Sequence, residues 1–500
     1  MSVNDQAGAP LPIYPVILAG GAADGLWPLS RDRFPWQFRK NGSGDSPMQN
    51  LLRWCEESAD LAAPTVMCHF DYRFIVSEQC AEKRILPYGI VLEPERRGSG
   101  PSALAAAFML ALREPEALLL FMPSDLPLLE GAPLHSALAA ARPVAEDGRI
   151  VLLADRAGRR GDLELSPAEA LDGEEAVFAL AEEADEGDAG QRWPYAGLAL
   201  ARAQTVVEAC RAHFPDLAVQ MEQAVRTGGV DLAFYRLGKT AYTAARSRRM
   251  SDLLLSAEGQ VAVAPCTLGL RRNRDWGDAV QASAHNGQGN SFDGDIVAVD
   301  VKNSYLRSED RLVGAIGLDD VMVVDTPDAL LVAARDRLKD MPKLLDALRR
   351  RRRIELEEHQ TAFRPWGQIA ALGAGDHYDI KMLTLRPGAA IALQLHHHRA
   401  KHWVVLAGTA RVRRGERRLL LSPNQSVFIP IGMPHAVANP GKLPLIMVQV
   451  QSGDYFGRDD VVRLEEPYRA VEEANATPPP VPAPEEEADG RDEVQEPAES

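Results

Sequence analysis

Short apolar runs recur along the first half of the chain, each closed by glycine, proline or a carboxylate. Val16-Ile17-Leu18, Ala63-Pro64-Thr65-Val66-Met67, Gly89-Ile90-Val91-Leu92 and residues 117–122 and 149–153 have the length and flanks of buried strands. Between them, residues 102–113 and 133–141 are rich in alanine and read as helices. Alternation of this kind, from Ile13 to about Ala245, predicts a mostly parallel sheet covered by helices on both faces. Ligands of such sheets bind beyond the carboxyl ends of the strands. The Gly20-Gly21 pair follows the first run, so it is expected on that edge.

The pattern changes near residue 286. Gly289-Asn290, Asp293-Gly294-Asp295, Asn303-Ser304 and Gly314 punctuate short β-branched runs such as 296–299 and 321–324. Spacing of this kind predicts a small β-prism or β-helix layer. Residues 342–353 then read as a basic helix with Leu344, Leu345 and Leu348 on one face. Its arginine run, 349–353, reads as a solvated face or a contact to an acidic surface. Arg364-Pro365-Trp366-Gly367 opens a third, β-rich unit. After Tyr468-Arg469 the chain turns to proline, glutamate and alanine, with almost no large apolar side chains, and is expected to be disordered. The expected organisation is a flexible lead 1–12, an α/β domain 13–285, a β linker 286–355, a barrel 356–470 and an acidic tail 471–500.

Five hundred residues fit two or three domains, and 46% hydrophobic content is enough for sizeable cores. A net charge of −16 argues against general nucleic-acid binding, which needs a basic footprint. The five cysteines are scattered, odd in number and lack CxxC spacing, which fits a reduced, cytoplasmic setting. The start, Met1 to Pro10, has no apolar segment behind a basic one, so it does not read as a secretory signal. No run approaches the ~20 apolar residues of a membrane span.

Gly20-Gly21 would let the backbone approach a phosphate, since no Cβ blocks the N–H groups; a plain tight turn has the same wording. Asp125, after an apolar run, suits one Mg²⁺ ligand or a helix N-cap. The wider wording is more specific. Leu26-Trp27-Pro28-Leu29-Ser30-Arg31, with Pro35 and Gln37-Phe38, resembles the signature loop of sugar-nucleotide pyrophosphorylases. The nearest resemblance is to the bifunctional mannose-1-phosphate guanylyltransferase/mannose-6-phosphate isomerase family, from about Tyr14 to Arg469. That resemblance implies an α/β nucleotidyltransferase-like domain with a Rossmann-like mixed sheet, a small β linker and a C-terminal cupin barrel. It also implies a part in GDP-mannose supply for polysaccharide biosynthesis. By the same resemblance Ala19, Gly20, Gly21, Glu93 and Arg97 hold the nucleotide, and Arg31 and Asp125 serve catalysis, Asp125 through Mg²⁺.

The departures bear on mechanism. The family loop continues Gly-Gly-x-Gly-x-Arg and later Pro-Lys-Gln-Phe; here those positions are Ala23, Gly25 and Trp36. Gly98 and Ser99 stand for Asn and Thr after Arg97, and Leu126 stands for the His after Asp125. Arg160-Gly161-Asp162-Leu163-Glu164 lacks the family's Gly-Tyr-Gly, Leu180-Ala181-Glu182-Glu183-Ala184 has an acid for a lysine, and Arg272 aligns with the second metal carboxylate. Asp275 or Asp278 is a neighbouring substitute. Nucleotidyl transfer depends on positioning and on cations and metal that neutralise phosphate charge. Losing one such partner costs ~10²–10³ in rate. The expectation is a catalytically eroded homologue that binds nucleotide or sugar phosphate. The alternative is an active guanylyltransferase, isomerase or both, with relocated catalytic groups.

In the third unit, Gly388, Gln394-x-His396, position 401, Gly408, then Pro430-x-Gly432-x-x-His435-x-x-x-Asn439 have the two-motif spacing of cupins. The pattern assigns a metal to Gln394, His396, His435 and a glutamate, a set that suits Zn²⁺, Mn²⁺ or Fe²⁺. The glutamate is replaced by Lys401, and an ammonium donates hydrogen bonds but has no lone pair for a metal. A metal-free pocket in which Lys401 supplies the positive charge for an anion is therefore expected; a polar barrel mouth with no ligand is the plainer reading. Arg364, Lys381 and Arg399 are, by resemblance, candidates for holding a sugar phosphate. The sequence leaves a homo-oligomer or a partner enzyme of glycan biosynthesis open.

Overall fold

The computed structural model describes residues 12–464 except 22–23, 41–43, 127–131, 158–162, 171–176, 181–191, 258 and 269–274. The expected runs form strands β1 (Ile13–Leu18), β2 (Thr65–His69), β3 (Gly89–Glu93), β4 (Leu118–Pro123) and β5 (Ile150–Asp155). Helices α1 (Pro47–Glu57), α2 (Arg73–Lys83), α3 (Ser99–Ala111) and α4 (Ala132–Glu146) lie between them. β3, β2, β1 and β4 run parallel in that order within a twelve-stranded sheet. Val16 faces one core and Ile17 the other, the period-two alternation of a strand buried on both faces.

The sheet is mixed. Strand Trp193–Arg202 runs antiparallel between β4 and β5. A strand buried on both faces is apolar throughout, so its sequence does not tell its direction. α3 starts at Ser99, earlier than the alanine-rich run suggests. The Gly100 N–H donates to the Arg248 carbonyl at 2.9 Å, and the Met250 N–H donates to Ser99 Oγ at 2.9 Å. Its first turn is thereby tied to a distant segment. α4 likewise continues past Ala141 and carries Pro143 inside it.

The linker stacks short parallel pairs, Ser291–Asp293 on Tyr305–Ser308 on Val321–Thr326, and Ile296–Val299 on Val313–Ile316, in β-helix manner. Helix Met341–Arg350 follows. The barrel is two sheets around Trp403, Leu383, Val405, Val412, Val437 and Met447. Among the described residues no helix is long and apolar enough to cross a membrane. All five cysteines are buried and free.

The seam between the first two units is a core of its own. Leu26, Trp27, Leu29 and Trp36 pack with Trp276, Tyr305, Met322, Leu331, Met341 and Leu345. Trp27 Nε1 donates to the Glu355 carbonyl at 3.0 Å, and Trp276 Nε1 donates to the Trp27 carbonyl at 2.7 Å. Each buried indole contributes on the order of 4–6 kcal/mol of gross apolar burial. Arg31, its side chain fully buried, meets Asp328 of the linker at 2.6 Å and lies 5.6 Å from the Trp27 ring centre. Burial pushes the Arg31 pKa down, and the Asp328 charge works against that.

Glu93 ends β3 almost fully buried, accepting from Ser102 Oγ. A Cβ on Gly20 would sit 2.7 Å from Glu93 Oε2, so any other residue there would have to displace the buried Glu93 carboxyl. Burial pushes the Glu93 pKa up to about 7, and the Ser102 hydrogen bond pulls it the other way.

Two outcomes follow for stability. Asp328→Ala strands a buried guanidinium and should cost ~3 kcal/mol in urea unfolding, while Arg31→Met with Asp328→Ala should recover most of the loss. Native Glu93 holds its proton more tightly than the unfolded chain does, so stability falls as pH rises from about 4.5 to about 7 and is level above. Glu93→Gln removes that fall. It should gain ~1–3 kcal/mol over the unmodified chain at pH 8 and nothing at pH 4, read from denaturant melts.

Candidate functional site

β1 and β4 pair in parallel with Leu18 opposite Pro123, so Gly20-Gly21 and Asp125 leave adjacent strands on the same carboxyl edge. Three hydrogen bonds fix the glycine turn. The Ala19 N–H donates to the Met67 carbonyl at 2.7 Å, the Ser124 N–H to the Leu18 carbonyl at 3.1 Å, and Gln37 Nε2 to the Gly21 carbonyl at 2.8 Å. Gly20 rests on Glu93, whereas a Cβ on Gly21 would meet nothing within 4 Å. The edge therefore has a rigid floor and an open side, with Asp125 half-buried beside it. Ala19, Gly20, Gly21 and Asp125 come together here. Glu93 lies beneath them as a brace.

Arg97 is held aside by Glu95 at 2.7 Å. Behind it, Gly98 at φ +82° is pressed so close to the Arg248 carbonyl that a Cβ would sit 2.5 Å from that oxygen. The structure places Arg31 in the seam, away from the open side of the turn, its guanidinium on Asp328. The other cations of this loop are matched too. Arg33 meets Glu358 at 2.5 Å, Arg39 meets Glu309, and Lys40 meets Glu82 at 3.0 Å. Trp36, at the position of the family lysine, is buried in the seam, its backbone N–H donating to Ser30 Oγ at 3.1 Å. Mg²⁺ takes one or two carboxylates together with phosphates and water. Asp125 fits the first place. Arg272, aligned with the second, lies outside the described residues, as do Ala23, the Arg160–Asp162 and Ala181–Ala184 stretches, the lead and the acidic tail.

In the barrel, strand Arg399–Ala407 alternates, so Arg399, Lys401 and Trp403 face inward and His402 outward. His396 and His435 face the same interior, ring centres 5.3 Å apart, and Trp403 lies 5.4 Å from His435. Lys401 Nζ lies 5.9 Å from the Trp403 ring centre. The Nε2 atoms of His396 and His435 are buried without a hydrogen-bond partner among the described residues. Burial pushes the His396 pKa down to about 3, with Lys401 and Arg399 adding to it. Burial and then Lys401 push His435 down to about 4. Lys401 is itself pushed down to about 7, first by burial and then by Arg399 and Lys381.

Of the three proposed sugar-phosphate cations, Lys381 and Arg399 lie near Lys401, each with a carboxylate of its own, and Arg364 lies apart. Arg399 forms an ion pair with Asp460 Oδ2 at 3.2 Å and donates to the carbonyls of Phe456 and Gly457, and Lys381 meets Asp379 at 2.6 Å. Arg364 lies level with Leu385 through Gly367, four residues along the strand from Lys381, which is ~13 Å. Gln394 sits half-buried opposite His435 in the ladder. Asp460 was not legible as a site residue. It is nearly buried and accepts from the His397 and His398 backbone N–H groups and, at 2.8 Å, from His398 Nδ1. Burial pushes its pKa up, but the His398 and His397 hydrogen bonds and the Arg399 charge hold it below the usual carboxylate range. It follows the second cupin motif in a turn with no pattern of its own.

Known families match these units. A nucleotidyl transferase family matches residues 14–159, a MannoseP isomerase/GMP-like beta-helix domain residues 294–348, and a mannose-6-phosphate isomerase C-terminal domain residues 351–466. The xanthan biosynthesis protein XanB of Xanthomonas campestris pv. campestris is 35% identical over 464 residues, 91% of this chain and 99% of that protein. The mannose-1-phosphate guanylyltransferase ManC of Salmonella typhimurium is 34% identical over 475 residues, 92% of this chain and 98% of its own. The alginate biosynthesis protein AlgA of Pseudomonas aeruginosa is 33% identical over 468 residues, 91% and 97%. A Thermus thermophilus crystal structure described as mannose-1-phosphate geranyltransferase superposes with a TM-score of 0.58 at 18% identity, over 68% of this chain and all of that one, and shares the fold. With relatives at this identity over nearly its full length, the chain belongs to the mannose-1-phosphate guanylyltransferase/mannose-6-phosphate isomerase family.

Proposed function

We propose that this chain is a family member that binds nucleotide or sugar phosphate at the Gly20-Gly21 edge and has lost efficient nucleotidyl transfer. One observation carries the reading: Arg31, Arg33, Arg39 and Lys40, the cations of the loop from residue 24 to 40, each face a carboxylate. A cation already neutralised by protein gives little to a triphosphate, whose transfer is driven by charge neutralisation. The lysine position is spent on seam packing through Trp36. Mg²⁺ at Asp125 would supply charge neutralisation, and the glycine turn would present its backbone to the phosphates. The binding of nucleotide survives in this reading because its floor is intact: Gln37 and Glu93 hold the turn.

A second reading, an active mannose-1-phosphate guanylyltransferase, is favoured by the alignment along nearly the whole length of relatives that carry that name. Incubating the full chain with GTP, mannose 1-phosphate and Mg²⁺ separates the two. The expected turnover to GDP-mannose is below ~10⁻² s⁻¹, against ~1–10³ s⁻¹ for ordinary enzymes. GTP or GDP-mannose binding should persist in calorimetry and weaken on Asp125→Ala when Mg²⁺ is present. Turnover of ~1 s⁻¹ or more establishes the second reading instead.

A further inference from the structure

We infer that the barrel has exchanged a divalent ion for an anion site, in which Lys401, His396 and His435 hold the phosphate group of a small ligand. The inference deepens the proposal that this chain binds sugar phosphates, and it concerns the other end of the molecule.

Charges in the barrel mouth are unevenly matched. Arg399 has Asp460 and Lys381 has Asp379. Lys401, 5% exposed, has no carboxylate within ion-pair distance among the described residues. Asp460 acts on it only from beyond that distance, and a buried ammonium with no carboxylate in contact is costly; an anion supplies what is missing. A divalent ion on the two imidazoles would place two further positive charges beside it. Among the described residues, no group of three or more His, Cys, Asp or Glu side chains is arranged to hold a metal.

Hydrogen bonding at the two imidazoles points the same way. His435 Nδ1 lies 2.8 Å from the Met433 carbonyl, so it donates there and leaves Nε2 as an acceptor. Arg399 Nε, which always carries its hydrogen, points at His396 Nδ1 at 3.2 Å. The Asp460 carbonyl lies at the same distance and competes for a proton on that nitrogen. Assigned from the permanent donor, His396 keeps its proton on Nε2 and presents an N–H to the interior. In that tautomer a metal finds one imidazole lone pair; moving the His396 proton to Nδ1, toward the Asp460 carbonyl, frees a second, still short of the roughly three protein ligands of a divalent site unless Gln394 joins. A phosphate monoanion or monoester finds an ammonium and an N–H for its oxygens, and an acceptor for a P–OH or a neighbouring hydroxyl. The three nitrogens come from three strands that face one interior, an arrangement that suits a tetrahedral group.

The test uses the full chain, dialysed against chelator, offered Zn²⁺ or Mn²⁺ and desalted. Metal analysis should find no stoichiometric ion. Equilibrium dialysis with inorganic phosphate and with mannose 6-phosphate should find binding that weakens at least ~10-fold in Lys401→Gln and in Lys401→Met. Tighter binding of mannose 6-phosphate identifies an ester as the ligand, and tighter binding of inorganic phosphate identifies the free ion; both support the site. Protein labelled with ¹⁵N-histidine gives a readout without substitution: phosphate should shift the ring signals of His396 and His435 among the eleven histidines. One tightly held Zn²⁺ or Mn²⁺ per chain that is lost in His435→Ala overturns the inference. So does an absence of phosphate binding, or ring signals that do not move. The guanylyltransferase assay uses different probes, so success or failure there leaves this result standing by itself.

Discussion

A guanidinium with no exposed side-chain surface, neutralised by a carboxylate 297 residues further along the chain, sets the geometry of the N-terminal half. A charge buried to that degree is tolerable only while its partner is in place. The Arg31–Asp328 pair therefore demands that the linker sit against the loop, and the loop's apolar side chains, Leu26, Trp27, Leu29 and Trp36, follow it into the seam. Gln37, in the same stretch, then reaches back to the Gly21 carbonyl. The glycine turn is thus positioned from two sides, by Glu93 beneath and by a loop anchored in another unit.

The two ends of the protein treat positive charge in opposite ways. In the loop every cation has been given an acidic partner from the protein itself. In the barrel the buried Lys401 has none within ion-pair distance among the described residues. Coulomb interactions in a partly buried setting are worth several times their value in water, so the Arg31 and Arg39 pairs and the lone Lys401 matter more than the same charges would at the surface. The first makes the loop a structural joint. The second leaves a place where an anion from outside is favoured.

The strands were legible because a run of four to six apolar residues bounded by glycine or proline has few other uses, and the cupin was legible because two motifs fix its ligand spacing. Gly20 could be placed on the ligand edge from its position after β1 alone. What was not legible shares one physical cause, long-range pairing. Nothing near Arg31 names Asp328, and nothing near Trp36 says that an indole there fills a seam instead of leaving a gap in a cleft. The antiparallel strand Trp193–Arg202 was hidden because burial on both faces erases the alternation that would mark it. The resemblance makes Glu93 a nucleotide contact; in the structure its carboxyl is nearly closed off beneath Gly20, a relation set by strand order and not by motif. Asp460 sits in a turn of three residues, too short for any period to show.

The seam also has a consequence in time. The loop carrying Trp27 and Trp36 leaves the ribosome early, while Asp328 and Leu331 come about 300 residues later. At ~5–20 residues per second that interval is roughly 15–60 s. For that interval the nascent chain displays two indoles and an arginine whose destination has not yet been synthesised. Biogenesis of this protein therefore favours a cell that shields such segments during translation.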